Sequence, residues 1–174
     1  GLSDALVEDN SFYIGNNPSS TTNGASQNVA VGTTALDAIT TGDQNTAIGY
    51  NALTENTTGS INIAVGSGAL YSNTAGEKNV VVGSSAMYSN TSGSYNTAVG
   101  GQALQSNISG GDNVAIGGDA LLANTTADRN VAIGTDAMLK NTTGERNVGV
   151  GHLALEDVTT GRYNTAVGYR SVSY

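Results

Sequence analysis

One spacing constrains this chain more than any other feature. A glycine preceded by Val or Ile recurs every 17 residues, as Gly32, Gly49, Gly66, Gly83, Gly100, Gly117, Gly134, Gly151 and Gly168, without insertion or deletion. Four places before each stands an asparagine: Asn28, Asn45, Asn62, Asn79, Asn96, Asn113, Asn130, Asn147 and Asn164. A fixed period of this length marks a repeat architecture, because so short a unit closes no core alone and must stack on its copies. Eight complete repeats occupy 28–163, and 164–174 begins a ninth. Residues 1–27 read as a lead-in, Gly1 to Asn10, and a degenerate first coil. Gly15 keeps the beat, Phe12-Tyr13-Ile14 mimics the strand, and Pro18 and Ser19 hold the places of a later Ala-Leu pair. Terminal repeats are expected to be atypical, and a proline without an N–H suits an edge.

The consensus is Asn-x-Ala-[Val/Ile]-Gly-x-x-Ala-Leu, two variable places, then Asn-Thr-Thr-Gly and two more. Val29, Thr46, Ile63 and Val80 stand three places before their glycines, as expected of a short β-strand. Alternation puts them on one face with the Val or Ile before the glycine, and the intervening Ala on the other. The second pair, Ala52-Leu53 and its equivalents, is expected to present one residue to each face; Met87 and Met138 replace Leu conservatively. The glycine of Asn-Thr-Thr-Gly and the one closing the strand are turn chemistry, supplying positive φ. Frequent glycines and the lack of a 3.6 period disfavour helix.

These features predict an all-β chain: a parallel β-solenoid, or β-roll, of 17-residue coils. Stacked at ~4.8 Å, nine or ten coils make a rod roughly 45 Å long. Identical residues then lie above one another, so the asparagines can ladder through their amides, with Asn56, Asn73, Asn90, Asn107, Asn124 and Asn141 forming a second ladder at the far turn. Both strand faces are apolar and a thin coil can bury only one. Either a kink at the glycine takes both inside, or an aliphatic stripe along the rod is a subunit interface. The interface is the expectation, and a homotrimer about a central axis is the simplest closed way to cover it.

Composition narrows the partners. With 14 acidic and 6 basic residues the net charge is −8, which argues against a nucleic-acid surface and against charge-driven adhesion to anionic lipid. No apolar run approaches the ~18 residues of a membrane span, so no membrane insertion is expected. Gly1-Leu2-Ser3-Asp4 lacks the basic start and apolar core of a signal peptide. The missing initiator methionine suggests a processed product or an excised piece, and the unbroken beat suggests continuation past Tyr174. Without cysteine there is neither a disulfide nor a thiolate site.

The Asn-x-Ala-Ile-Gly-x-x-Ala pattern resembles the head repeats of trimeric autotransporter adhesins, whose repeats are commonly three residues shorter. The longer Asn-Thr-Thr-Gly-x-x-Asn-Thr-Ala-[Val/Ile]-Gly form is closer to repeats of bacteriophage tail fibres. The likeness covers residues 28–174. It implies a left-handed parallel β-roll assembled as a trimeric fibre, located in a virion tail fibre or, alternatively, on a bacterial cell surface.

An active site would break the repeat, and few positions do. His152 is the lone histidine, in a column of varied residues, and reads as a surface side chain; no triad can be built on it. Asp119 and Asp136 share a column on adjacent coils and could approach within ~5 Å, enough to hold a cation, though a solvated pair is the simpler reading. Glu77-Lys78, Asp128-Arg129 and Glu145-Arg146 fall in one turn and predict diagonal ion pairs between coils, each worth little. Tyr71 and Tyr88 should stack and could meet a sugar, or simply shield a coil edge. The Asn-Thr-Thr triplets match glycosylation acceptors, but a turn explains them better.

No catalytic, cofactor or metal role is expected of these residues, and the chain does not read as an enzyme. The leading expectation is a rigid trimeric shaft of a viral tail fibre with a flank that contacts a host cell-surface glycan or protein; a bacterial surface adhesin head is the alternative. Ice binding is considered because Thr40-Thr41, Thr57-Thr58, Thr125-Thr126 and Thr142-Thr143 form columns, although adjacent strand threonines would face opposite ways. A polysaccharide-degrading spike ranks below it.

Overall fold

The computed structural model describes residues 5–15, 18 and 22–172; Gly1 to Asp4, Ser19 and Tyr174 lie outside the described residues. β1 (Ala5–Glu8) and β2 (Ser11–Ile14) form an antiparallel hairpin. Nine three-residue strands follow: β3 (Val29–Val31), β4 (Thr46–Ile48), β5 (Ile63–Val65), β6 (Val80–Val82), β7 (Thr97–Val99), β8 (Val114–Ile116), β9 (Val131–Ile133), β10 (Val148–Val150) and β11 (Thr165–Val167). They make one eleven-stranded sheet in chain order, parallel from β2 onward, with Val29 opposite Thr46 and Thr46 opposite Ile63. This is the parallel β-solenoid that the period predicts.

The residues before Ser11 form more than a lead-in. Asp9 and Asn10 have φ of 45° and 60°, the two-residue hairpin geometry with both central residues left-handed. They fold β1 back with Leu6 opposite Tyr13. β2 then enters the repeat register, Phe12 opposite Val29 and Tyr13 opposite Ala30, and buries Tyr13 where later coils bury alanine.

The interior is built from three small columns. The central strand residue points inward: Ala30, Ala47, Ala64, Ala98, Ala115 and Ala132 are fully buried. The second arm departs from expectation, because Ala52 and Leu53 do not face opposite sides. Both are fully buried, like Ala69-Leu70 and Ala103-Leu104. Leu53, Leu70 and Leu104 have φ of 51°, 54° and 53°, so this arm is no strand and successive side chains turn the same way. A left-handed leucine costs roughly 1–2 kcal/mol. Burying it stabilises by about 1.5–3 kcal/mol, and burial wins.

Both asparagine series form buried ladders. In the first, Asn79 Oδ1 accepts from the Asn96 backbone N–H at 3.0 Å and from Asn96 Nδ2 at 3.2 Å. Asn79 Nδ2 donates to Asn62 Oδ1 at 3.1 Å and to Gly93 O at 2.9 Å. In the second, Asn90 Nδ2 donates to Asn73 Oδ1 at 2.8 Å and likewise to Gly93 O, at 3.0 Å. The two ladders therefore converge on one carbonyl per coil, and the second does not lie at the far turn from the first. Asn45 and Asn56 share Gly59 O in the same way, both at 2.9 Å.

The two glycine columns serve different ends. Gly49, closing its strand, has φ of 135°, and a Cβ there would sit 2.6 Å from Gly66 O. Conformation and backbone proximity both demand glycine. The glycine of Asn-Thr-Thr-Gly does not supply the expected positive φ. Gly59 is needed for space instead, since its Cβ would lie 2.5 Å from Asn56 Oδ1. At Ala127 the chain tolerates a methyl, and the local ladder bond lengthens to 3.2 Å. Positive φ comes from Gln44, Asn51 and Leu53 and their equivalents.

Candidate interaction surface

The strand side chains flanking the buried alanine point outward and stay uncovered. Val29, Ile48, Ile63, Val80, Val82, Ile116 and Ile133 keep 37–42% of their surface exposed. No kink draws them inside, so of the two readings of the strand the exposed stripe is the one that the fold adopts. Nine coils at ~4.8 Å make it ~43 Å long, and two columns ~7 Å apart give it roughly 300 Å². That already falls in the range of the largest apolar patch on a typical monomer. A purely parallel sheet is also normally covered on both faces.

Two columns border the stripe. Before the strand lie Ile61, Lys78, Tyr95, Asp112, Arg129, Arg146 and Tyr163, all exposed. Lys78 Nζ donates to Tyr95 Oη at 2.7 Å, and that hydrogen bond, reinforced by the nearby Glu77 charge, holds its ammonium above the ordinary lysine range. Arg146 makes the same pairing with Tyr163 Oη at 2.8 Å, and its guanidinium lies 5.5 Å from the ring centre. After the strand come Tyr50, Ser67, Ser84, Gly101, Gly118, Thr135, His152 and Tyr169. His152 is exposed, places Nδ1 3.0 Å from Thr135 O and 4.0 Å from Asp136 Oδ2, and stacks on Tyr169 with ring centres 5.6 Å apart.

Away from the stripe, Tyr71 and Tyr88 stack with centroids 4.8 Å apart and planes 4° from parallel. The Tyr88 ring also lies over Gly68, whose Cβ would be 3.3 Å from it. On the same side Lys140 meets Asp157 and, at 3.8 Å, Glu156. The hydrogen bond to Asp157 raises the lysine above its ordinary range. Among the described residues no group of three or more His, Cys, Asp or Glu could hold a metal ion. Asp119 and Asp136 each adopt a positive φ, 58° and 56°.

The acidic and basic turn does not form the diagonal pairs expected. Asp128 Oδ1 instead accepts the Gly111 N–H of the preceding coil at 2.7 Å, as Asp43 Oδ1 accepts that of Ser26. A backbone N–H at that spot lacks a ladder carbonyl, so the carboxylate serves as its acceptor. Arg129 pairs with Asp112 at 3.7 Å, and Glu145 with Arg146 at 3.8 Å and Arg162 at 3.6 Å. The threonine columns stand in a turn, not a strand, and the hydroxyls of the first column are engaged: Thr40 Oγ1 donates to Thr57 O at 2.8 Å and Thr142 Oγ1 to Thr159 O at 3.1 Å. That leaves the first column little to offer an ice lattice. The acceptor-like Asn56, Asn124 and Asn141 are fully buried, so no glycan can sit there in the folded chain.

Sequence reasoning missed Ser11. It sits 17 before Asn28, is buried, and its Oγ accepts the Asn28 N–H at 2.9 Å, performing the ladder asparagine's backbone duty. Counting the column back by one more period would have found it.

These columns and coils define a β-solenoid repeat protein. No protein family, no characterised protein and no solved structure matches the chain.

Proposed function

We propose that the chain is a structural fibre segment, a rigid shaft of a viral tail fibre that assembles as a homotrimer through the aliphatic stripe and whose flank meets a host-cell glycan or protein. The uncovered stripe carries this reading. Alone it is small for a stable contact, but with its two bordering columns the face is roughly 20 Å by 43 Å. That matches the ~800 Å² per partner of a standard interface.

The borders support a parallel assembly in register. Rotation about an axis along the rod sets the column before one strand against the column after a neighbour's strand at the same height. Over four consecutive coils large residues then meet small ones: Ile61 meets Ser67, Lys78 meets Ser84, Tyr95 meets Gly101 and Asp112 meets Gly118. Three copies of any receptor-contacting flank would add avidity without new contacts.

Light scattering tests the assembly. The expected mass is three times the 17.4 kDa chain. A double variant, Val82→Glu with Ile116→Glu, should release monomers that keep the β-sheet circular dichroism. A wild-type monomer at micromolar concentration would overturn the trimer and, with it, the shaft.

A further inference from the structure

Asparagine holds this rod together, yet it is also among the thermally labile residues. Its side-chain amide is lost when the backbone nitrogen of the following residue attacks its Cγ. A β-branched follower crowds that attack, and glycine leaves it open. All fifteen ladder asparagines precede Val, Ile or Thr: the first series precedes strand residues such as Val29 and Thr46, the second precedes turn residues such as Thr57 and Ile108. The followers' nitrogens are also engaged, Thr165 of the last coil excepted. Val29 N–H donates to Asn45 O at 2.8 Å, and Thr57 N–H to Thr74 O at 3.2 Å. Strand packing and hydroxyl bonding already explain these residue types, so resistance comes with the fold.

One linkage lacks every one of these protections. Asn23-Gly24 is the only Asn-Gly in the chain, and both residues are exposed. Gly24 has φ of 90°, and a Cβ placed on it would meet nothing within 4 Å, so the backbone has room to close a ring. The segment is tied to the next coil through the Asn23 N–H, which donates to Thr40 O at 2.7 Å. Other covalent weak points are closed: there is no cysteine, and both methionines, Met87 and Met138, are fully buried away from oxidants.

We propose that Asn23-Gly24 is a spontaneous deamidation site and that covalent ageing of the folded rod begins there. The Gly24 nitrogen bonds to the Asn23 Cγ, and the carboxamide nitrogen leaves as ammonia with the displaced proton, giving a succinimide. Water then opens the ring at either carbonyl, leaving an aspartyl or isoaspartyl residue at position 23, with no change of oxidation state. Either product adds a negative charge to the first coil. The isoaspartyl form also lengthens the backbone beside the Asn23–Thr40 bond, so the N-terminal coil loosens while the ladders beyond it persist.

The folded chain is incubated in warm, mildly alkaline buffer beside an unstructured Asn-Gly reference peptide, then digested and mapped by mass spectrometry. The Asn23 peptide should gain the amide-to-acid mass increment and split into two chromatographic peaks, roughly tenfold faster than any ladder peptide, the rate equivalent of a small barrier difference. Gly24→Ala should slow the conversion and Asn23→Gln should abolish it. Asn23 left intact after the reference peptide has converted would overturn the proposal. Conversion of Asn10, Asn51 or a ladder asparagine at an equal or greater rate would do the same.

Discussion

Asn79→Ala and Asn90→Ala remove the same atoms from fully buried positions, yet they should not cost the same. Each loses an amide donation to the coil before, a donation to Gly93 O, and an acceptance from the amide of the coil after. Those losses, and the cavities, cancel in the comparison. What remains is the Asn96 backbone N–H, which only Asn79 satisfies among these two. An orphaned buried donor costs roughly 1–3 kcal/mol. Asn90→Ala orphans Asn73 Oδ1 in its turn, but the fold already carries an equivalent unpartnered acceptor at Asn141 Oδ1. Asn79→Ala should therefore be worse by about 1–2 kcal/mol, a factor of roughly 5–30 in local opening. Hydrogen exchange is the assay, because coil-by-coil stability need not be two-state. The Asn96 amide should lose protection in Asn79→Ala and keep it in Asn90→Ala. Asn79→Ser should restore it, since Ser11 Oγ does that work for Asn28. Equal protection of Asn96 in the two alanine variants, or no gain from serine, would refute the reasoning.

Two further outcomes follow from the same columns. Gly49→Ala places a Cβ 2.6 Å from Gly66 O at φ 135° and should destabilise by about 3 kcal/mol or more, whereas Gly149→Ala meets the flexible Met138 side chain at 3.0 Å and the Ala154 carbonyl oxygen only at 3.2 Å, without a left-handed φ, and should cost about 1 kcal/mol; similar melting temperatures for the two would contradict the backbone-contact argument. Val158→Asn extends the second ladder by one coil and gives Asn141 Oδ1 its missing donor, so it should stabilise by about 1 kcal/mol; a lower melting temperature would show that the aliphatic plug matters more than the orphaned oxygen.

Much of the fold was legible because a solenoid writes its register into the period. Once Gly32 to Gly168 are aligned, the strand, its inward alanine and the first ladder follow from alternation and stacking alone. The leucine column was not legible. Leu53 turns inward only because it adopts φ 51°, a conformation that propensity assigns to glycine or asparagine, and the gain from burial that overrides it is a tertiary effect. The convergence of both ladders on Gly59 O was hidden for a related reason, since the path between Asn45 and Asn56 runs through three left-handed turns. The N-terminal hairpin did leave a signal, Asp9-Asn10 between two short apolar runs, but it lies outside the 17-residue period. Asp128 was misread because charge suggested an ion pair, when an unpaired backbone N–H nearby was the stronger demand.

The same constraints locate where identity can be written on such a rod. Inside, the alanine column admits only Val81 and Gly149 as exceptions beyond Tyr13 of the first coil, and the leucine column only Met87 and Met138 before Val172 of the last, because each coil's floor is the next coil's ceiling. Outside, the columns bordering the strand run through Ile, Lys, Tyr, Asp and Arg with no consensus residue. The column of Tyr71 and Tyr88 likewise passes on to Gln105, Leu122, Leu139 and Glu156. Stability is thus indifferent to position along the rod, whereas surface chemistry is not. Any partner that reads this surface must read it at one height: sliding by a single coil moves it ~4.8 Å and, from Tyr88, replaces an aromatic platform with the amide of Gln105. Register, which the buried asparagines enforce between coils, is therefore also what would make recognition by the outer columns specific.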